Sequence, residues 1–311
     1  MKKIITALTS LGERQGAVTK KAAEYLQSEL RNNKIPFVVE TVSTFLPVGS
    51  AVLTADNIPV TCAPTSFVGG PITSKDSIVS SLIPTKYLID VPNINFNPKS
   101  TALSLPNFYF APSVAIRRED VERIISATEV RGEVVIEKTA FELPQILVGN
   151  RVNPKTIVFS HFDSVGPGAI DNASGTAVCL SIAIENPQLL TNTLFVFDPN
   201  EELSYDKPTY WGHGYRSFEE RYLKQLDGAN TIIVVDCVGN GATRVISDPR
   251  ILNLAFPIAN LSRMLTKTVT IGGDIEKMME VYQSDADLED EVMEEFLAEA
   301  REVVVDLITR P

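Results

Sequence analysis

A chain of 311 residues with 44% hydrophobic and 22% charged side chains has the make-up of an ordinary globular protein. Its length suits one large domain, or one domain carrying a smaller insertion. The formal net charge of −11 repels polyanions, which argues against nucleic acid or an anionic membrane as partner and favours a cation.

No apolar run approaches the roughly 20 residues of a membrane-spanning helix, and "MKKIITALTSLGERQG" carries no export-signal pattern. Cys62, Cys179 and Cys237 lie far apart among apolar neighbours, without CxxC spacing. They read as small buried hydrophobes, and the expectation is a soluble protein of a reducing compartment, the cytoplasm.

Val18, Ala22, Tyr25, Leu26 and Leu30 recur at helical spacing, and the β-rich run "IPFVVETVSTF" follows them, predicting an opening helix and a strand. From Pro47 to Pro112 the texture changes. Nine prolines and many Ser, Thr and Asn separate short apolar runs such as "KYLIDV" and "NFYFAPSVAI". Short strands joined by loops fit this stretch, with one helix at "RREDVERIISA". Residues 45–132 are expected to form a smaller, mostly β insertion.

Beyond it, "GEVVIEKT", "QILVGN", "KTIVFSHFDS", "NTLFVFDPNEE" and "NTIIVVDCVGN" are β-branched apolar runs. Helical segments such as "GTAVCLSIAIEN" and "FEERYLKQL" alternate with them. That pattern predicts a mixed α/β domain, residues 1–44 and 133–311, whose mostly buried sheet is sandwiched by helices. The stripe Leu288, Val292, Met293, Phe296, Leu297, Ala300, Val303, Val304, Leu307 and Ile308 predicts one long amphipathic helix at the end. The acidic run "SDADLEDEVMEE" is then its solvated first turns.

Polar residues interrupt these runs where open α/β sheets place their ligands, at the carboxyl ends of strands. His161 and Asp163 end one run, Glu201 and Glu202 a second, and Asp236 a third, while Asp171 lies in a glycine-rich turn before a helix. Two unit charges about 4 Å apart repel by roughly 4 kcal/mol at an effective dielectric near 20. A cluster of carboxylates therefore needs protons or cations. One imidazole among carboxylates suits zinc, manganese or cobalt better than magnesium or calcium. A bridging Asp171 could join two such ions, although it equally suits the N-cap of the following helix.

The order H-x-D-S, G-A-x-D-N-A-S-G, E-E and D-x-V-G, each in its strand context, resembles the zinc-dependent M28 family of aminopeptidases. The resemblance covers the opening helix and strand and about 133–311. The insertion falls where many members carry a protease-associated domain. It implies a zinc-exopeptidase-like fold and hydrolysis of peptides or small amides by metal-activated water. His161, Asp171, Glu202 and Asp236 would be ligands to one or two zinc ions, with Glu201 as general base and Asp163 orienting the His161 imidazole.

The fifth ligand of the family is a histidine in a Y-H-x-x-x-D context, and here Gln283 stands in its place between Tyr282 and Asp287. A neutral amide is a weaker ligand, so one metal position should be weakened. His213, in a loop longer than the family's, is the remaining histidine and could approach the metals from another side. Two other readings stay open: a catalytically degenerate homologue that binds a peptide or partner, and a single-zinc amide hydrolase or cyclising acyltransferase of the same fold. A homo-oligomer is compatible with each.

Overall fold

A computed structural model describes residues 1–73, 75, 77–82 and 91–310. They form two compact units. The larger comprises Met1–Thr44, Phe141–Met278 and Asp287–Pro311, and the smaller Phe45–Ala140 and Met279–Ala286. Residues 133–140 and 279–286 thus go with the stretch 45–132.

The chain opens with α1 (Lys2–Thr9), which buries Ile4, Ile5 and Leu8. Eight residues are too few to announce themselves by periodicity. Helix α2 (Ala17–Asn32) buries Thr19, Ala22, Ala23, Leu26 and Leu30, the stripe expected from the sequence. Strand β1 (Phe37–Ala55) follows, with Val42, Thr44 and Leu46 buried between exposed Thr41, Ser43 and Phe45, the period of a half-buried strand.

The smaller unit is built of short strands. β2 (Ile58–Val60) pairs antiparallel with the end of β1. After β3 (Cys62–Pro64), β4 (Gly70–Ile72), β5 (Ile78–Ser80), β6 (Asn93–Phe96) and β7 (Ser113–Ile116) comes α3 (Val121–Ser126). A four-stranded sheet runs β3-β7-β6-β5. Its core holds Leu53, Val60, Ile72, Ile94, Val114, Ile116, Ile124 and Val130. Most of "KYLIDV", Lys86–Asp90, lies outside the described residues. The helix expected at 117–127 is shorter, α3 being preceded by a 3-10 turn at Arg118–Asp120. "GEVVIEKT" and "QILVGN" are parts of one 20-residue strand, β8 (Val130–Gly149).

In the larger unit β9 (Thr156–His161), α4 (Gly175–Glu185), β10 (Thr193–Asp198), α5 (His213–Gly228) and β11 (Thr231–Val235) come first. Then follow β12 (Arg244–Ile246), α6 (Pro249–Ala255), α7 (Leu261–Met264), β13 (Thr268–Gly272), α8 (Ile275–Val281) and α9 (Glu294–Thr309). The sheet order is β12-β13-β11-β9-β10-β8-β1. β9 lies parallel between β10 and β11, β13 is parallel to β11, and β8 runs antiparallel to β10. All six residues of β9 and of β10 are buried, as continuous apolar runs require of strands covered on both faces. Phe159, Val196, Phe218, Val234 and Phe256 pack together on one side of this sheet.

The last helix is shorter than its stripe. α9 begins at Glu294, and Leu288–Val292 form a 3-10 turn and extended backbone instead. The first turn of α9 takes in only Glu294 and Glu295 of the acidic run. Asp287 within it is buried, and the Met293 amide donates to the Gly239 carbonyl, so tertiary bonds override the local helical pattern.

Candidate metal centre

Because the chain leaves β9 for β10 on one side and later returns to β11 on the other, a crevice opens at the carboxyl ends of these three strands. His161 ends β9 and Asp198 ends β10 in register with it. Glu201 and Glu202 follow β10, and Asp236 follows β11. Asp171 sits at φ −113°, ψ 90° in the irregular turn before α4. Gly168 makes that turn possible, since at φ +58° an added Cβ would stand 2.3 Å from the Asp171 carbonyl oxygen.

The structure brings six residues singled out in the sequence to one place. His161 Nε2 lies 3.3 Å from Asp171 Oδ1 and 3.3 Å from Asp236 Oδ1. His161, Asp171 and Asp236 form one set, and His161, Glu201 and Glu202 a second, whose donor atoms lie within 4.8 Å of one another in each set. His161, Asp163, Asp171 and Glu202 are buried, while Glu201 and Asp236 are partly exposed at the mouth.

Asp163 has a wider part than orienting the imidazole. Its Oδ1 is 3.4 Å from His161 Nδ1, and its two carboxylate oxygens accept the backbone N–H groups of Glu201 and Glu202, each at 3.0 Å. The helix cap considered for Asp171 belongs instead to Asn172, whose Oδ1 accepts the Gly175 N–H at 3.0 Å. The Asp171 carboxylate is thereby left facing His161.

Burial and mutual repulsion shift the titration of the carboxyls in the crevice. Burial pushes the pKa of Asp171 up, and repulsion from Asp236 adds to it against the pull of His161. Burial likewise lifts Glu202 well above the carboxylate range, helped by Asp171 and Glu201. Glu201 is raised by burial, opposed by His161 and reinforced by Asp236. Burial carries Asp198, one strand end away, to about 7. Carboxyls this crowded stay ionised together only around bound positive charge.

The donor geometry fits a metal. Two ligand atoms at about 2.0–2.2 Å from a tetrahedral ion lie roughly 3.3–3.5 Å apart, the spacing of His161 Nε2 from both aspartates.

Gln283 falls in the smaller unit. It is buried, sits at φ +46°, and its main-chain carbonyl accepts the Leu105 N–H at 2.8 Å. His213 belongs to neither set. It starts α5, with Nδ1 2.9 Å from Asp206 Oδ2 and Nε2 3.0 Å from the Ser43 carbonyl oxygen. Its approach to the metals is therefore excluded by its own partners. Trp211 donates its indole N–H to the Leu254 carbonyl, a packing role.

Cys237 departs from the expectation of an inert buried hydrophobe. It adjoins Asp236 at φ +55° and its thiol donates to Asp236 Oδ1 at 3.3 Å. Two further residues bear on the loop before Asp171: Arg14 has no signal in the sequence, and Asp287 is marked there only as the aspartate of the Y-H-x-x-x-D resemblance. Arg14, fully buried, donates to the carbonyls of Phe162 at 2.7 Å and Gly168 at 3.0 Å, and to that of Pro167. Burial lowers its pKa only to about 10, because carboxylates led by Asp287 support its charge. Asp287 accepts the N–H groups of Ile170 at 2.7 Å and Asp171 at 3.0 Å.

Comparison with known proteins gives this arrangement a context. Residues 146–269 match the model of Peptidase family M28. No curated protein matches the chain in sequence. Among solved structures, BSAP, a zinc aminopeptidase from Bacillus subtilis, superposes with a TM-score of 0.68 at 16% identity, over 99% of this chain and 93% of that one. An aminopeptidase from Aneurinibacillus sp. strain AM-1 gives 0.62 at 14%, over 99% and 92%. Porphyromonas gingivalis glutaminyl cyclase gives 0.54 at 12%, over 99% and 95%. At these identities the likeness establishes the fold, a sheet flanked by helices as in zinc exopeptidases.

Proposed function

From the match of residues 146–269 to the model of Peptidase family M28, we propose that the protein is a metal-dependent peptidase of the aminopeptidase type. In this reading His161, Asp171, Glu202 and Asp236 hold one or two zinc ions, which manganese or cobalt can replace. The observation that carries it is the His161 imidazole, set 3.3 Å from two carboxylates at once.

These residues would hold a divalent cation, which would supply a water acidified toward neutral pH and a Lewis acid for the peptide carbonyl. Asp163 keeps the imidazole in orientation and fixes the amides of the glutamate pair. Glu201, at the mouth, takes the proton of the attacking water and returns it to the leaving amine. Gln283 stands where the resemblance expects an imidazole, so the second ion is the more loosely held. The smaller unit, in the same reading, is a protease-associated-type insertion. The three free cysteines support a reducing compartment, the cytoplasm.

The test is turnover of an aminoacyl anilide or short peptide by metal-stripped protein, by protein resupplied with zinc, and by Glu201→Gln. Turnover is expected only with metal, and the substitution should cost about 10²–10⁴-fold while leaving metal content unchanged. Wild-type rates from Glu201→Gln would overturn its role.

A second reading rests on Gln283 together with the fold shared with a glutaminyl cyclase: a single-ion cyclising acyltransferase. It predicts one ion per chain and ring closure, rather than hydrolysis, of peptides beginning with glutamine.

A further inference from the structure

Residues 162–171 join His161 to Asp171, and with them two proposed ligands, through a stretch without regular secondary structure before residue 169. Such a stretch has no ladder to hold its shape, yet ligand atoms must be kept within about 0.5 Å to favour an ion.

The stretch is gripped by two buried groups of opposite charge. Arg14, 0% exposed, sends its guanidinium to the carbonyl oxygens of Phe162, Pro167 and Gly168, and its own amide to the Ser164 carbonyl at 3.2 Å. Asp287, 1% exposed, takes the amides: Ile170 on Oδ1, Asp171 on Oδ2, and Ala169 on its main-chain carbonyl at 3.1 Å. The arginine satisfies the acceptors of the loop and the aspartate its donors. Neither side chain is among the metal-ligating sets. Arg14 reaches across about 150 positions of sequence and Asp287 across 116 and 117.

We propose that Arg14 and Asp287 act as a pair of positioning residues that hold the 162–171 loop in ligand geometry before an ion arrives, so that the affinity of the crevice for a divalent cation depends on both. The inference rests on the metal reading of the site. Partners of this kind behind metal ligands typically contribute about 10–100-fold in affinity.

Asp287→Asn keeps the volume and one acceptor but turns an amide donor against a backbone N–H. Arg14→Lys keeps the charge and loses the fork that spans several carbonyls. The experiment is the zinc dissociation constant of each metal-stripped variant, measured by competition with a chromophoric chelator, beside circular dichroism and melting curves. Each folded variant is expected to bind zinc about 10–100-fold more weakly. The double variant should lose less than the product of the two, since both act on one loop. Arg216→Met, which loosens a buried arginine of another cluster, should keep wild-type zinc affinity and so separates positioning from general destabilisation.

Hydrogen exchange on the unmodified, metal-stripped protein tests the same claim without substitution: the Ile170 and Asp171 amides should already be protected, and zinc should add little. Folded variants with wild-type zinc affinity would overturn the proposal, as would amides protected only when zinc is bound. Failure of the wild-type chain to bind any divalent cation would instead overturn the metal reading itself.

Discussion

The two histidines of the chain sit in opposite electrostatic worlds. His213 is one corner of a cluster in which the carboxylate of Asp206 finds its partners within the fold. Asp206 Oδ2 meets both His213 Nδ1 at 2.9 Å and Arg216 Nε at 2.8 Å. Arg216 also donates to the carbonyls of Trp211, Pro257 and Thr209. The two hydrogen bonds from His213 and Arg216 hold the Asp206 carboxyl below its ordinary pKa, outweighing its partial burial. His161 faces carboxylates at both ring nitrogens, with no lysine or arginine ion-paired to any of them among the described residues. The lesson is that an aspartate beside a histidine says little by itself. Asp206 finds its guanidinium within the fold, and in the proposed reading the carboxylates around His161 recruit a cation.

The comparison breaks most sharply at His161. His161→Ala removes the one group common to both donor sets, and both metal content and turnover should fall to background. Elemental analysis of the purified variant checks it, and unchanged zinc content would mean that the imbalance at His161 has nothing to do with metal.

Removing the metal from the unmodified protein comes next. An ion present at a thousand times its dissociation constant stabilises the native state by about 4 kcal/mol, so stripping it should lower the melting temperature by several degrees. Arg216→Met should show the same metal-dependent increment, because its cluster lies outside both donor sets. A melting temperature indifferent to chelator would contradict the proposed charge imbalance.

Arg216→Met should itself cost about 2 kcal/mol. That is less than the about 3–5 kcal/mol of a fully buried pair, because the Asp206 side chain is 34% exposed. Urea unfolding of metal-loaded protein measures it. The expected signature is a lower midpoint with zinc stoichiometry intact, the reverse of His161→Ala.

How far this was legible in the sequence follows from the same contrast. His161, Glu201, Glu202 and Asp236 stand out because each is a polar stop on an apolar run, and a parallel sheet puts all such stops at one edge. Asp171 stands out through the glycines around it. Arg14 does not, and Asp287 is marked only by the Y-H-x-x-x-D resemblance and not by its role, because their partners are backbone groups more than 100 residues away and no local pattern encodes a carbonyl or an amide. The start of the last helix was misplaced for a related reason. Leu288, Val292 and Met293 fit the helical stripe, yet the chain there is shaped by Asp287 bonding to 169–171 and by Met293 bonding to Gly239. His213 looked available in sequence because Asp206 and Ser43 only meet it in the fold.

The finest test concerns Gln283. If Tyr282–Asp287 is the counterpart of the family's Y-H-x-x-x-D stretch, Gln283→His exchanges a neutral amide for an imidazole, the better donor to zinc. The second, weaker zinc affinity should then tighten, and the first should hold, since His161, Asp171 and Asp236 are unchanged. Stepwise titration of metal-stripped protein with zinc reads both constants. The effect is the smallest of those argued here because the exchange changes one donor of the looser position and leaves the other ligands in place, and a histidine tolerates the φ of +46° that Gln283 already adopts. Two constants identical to wild type would remove Gln283 from the ligand set. The site would then consist of His161 and the carboxylates at the strand ends, and the ions it holds would depend on those residues and on the loop that Arg14 and Asp287 grip.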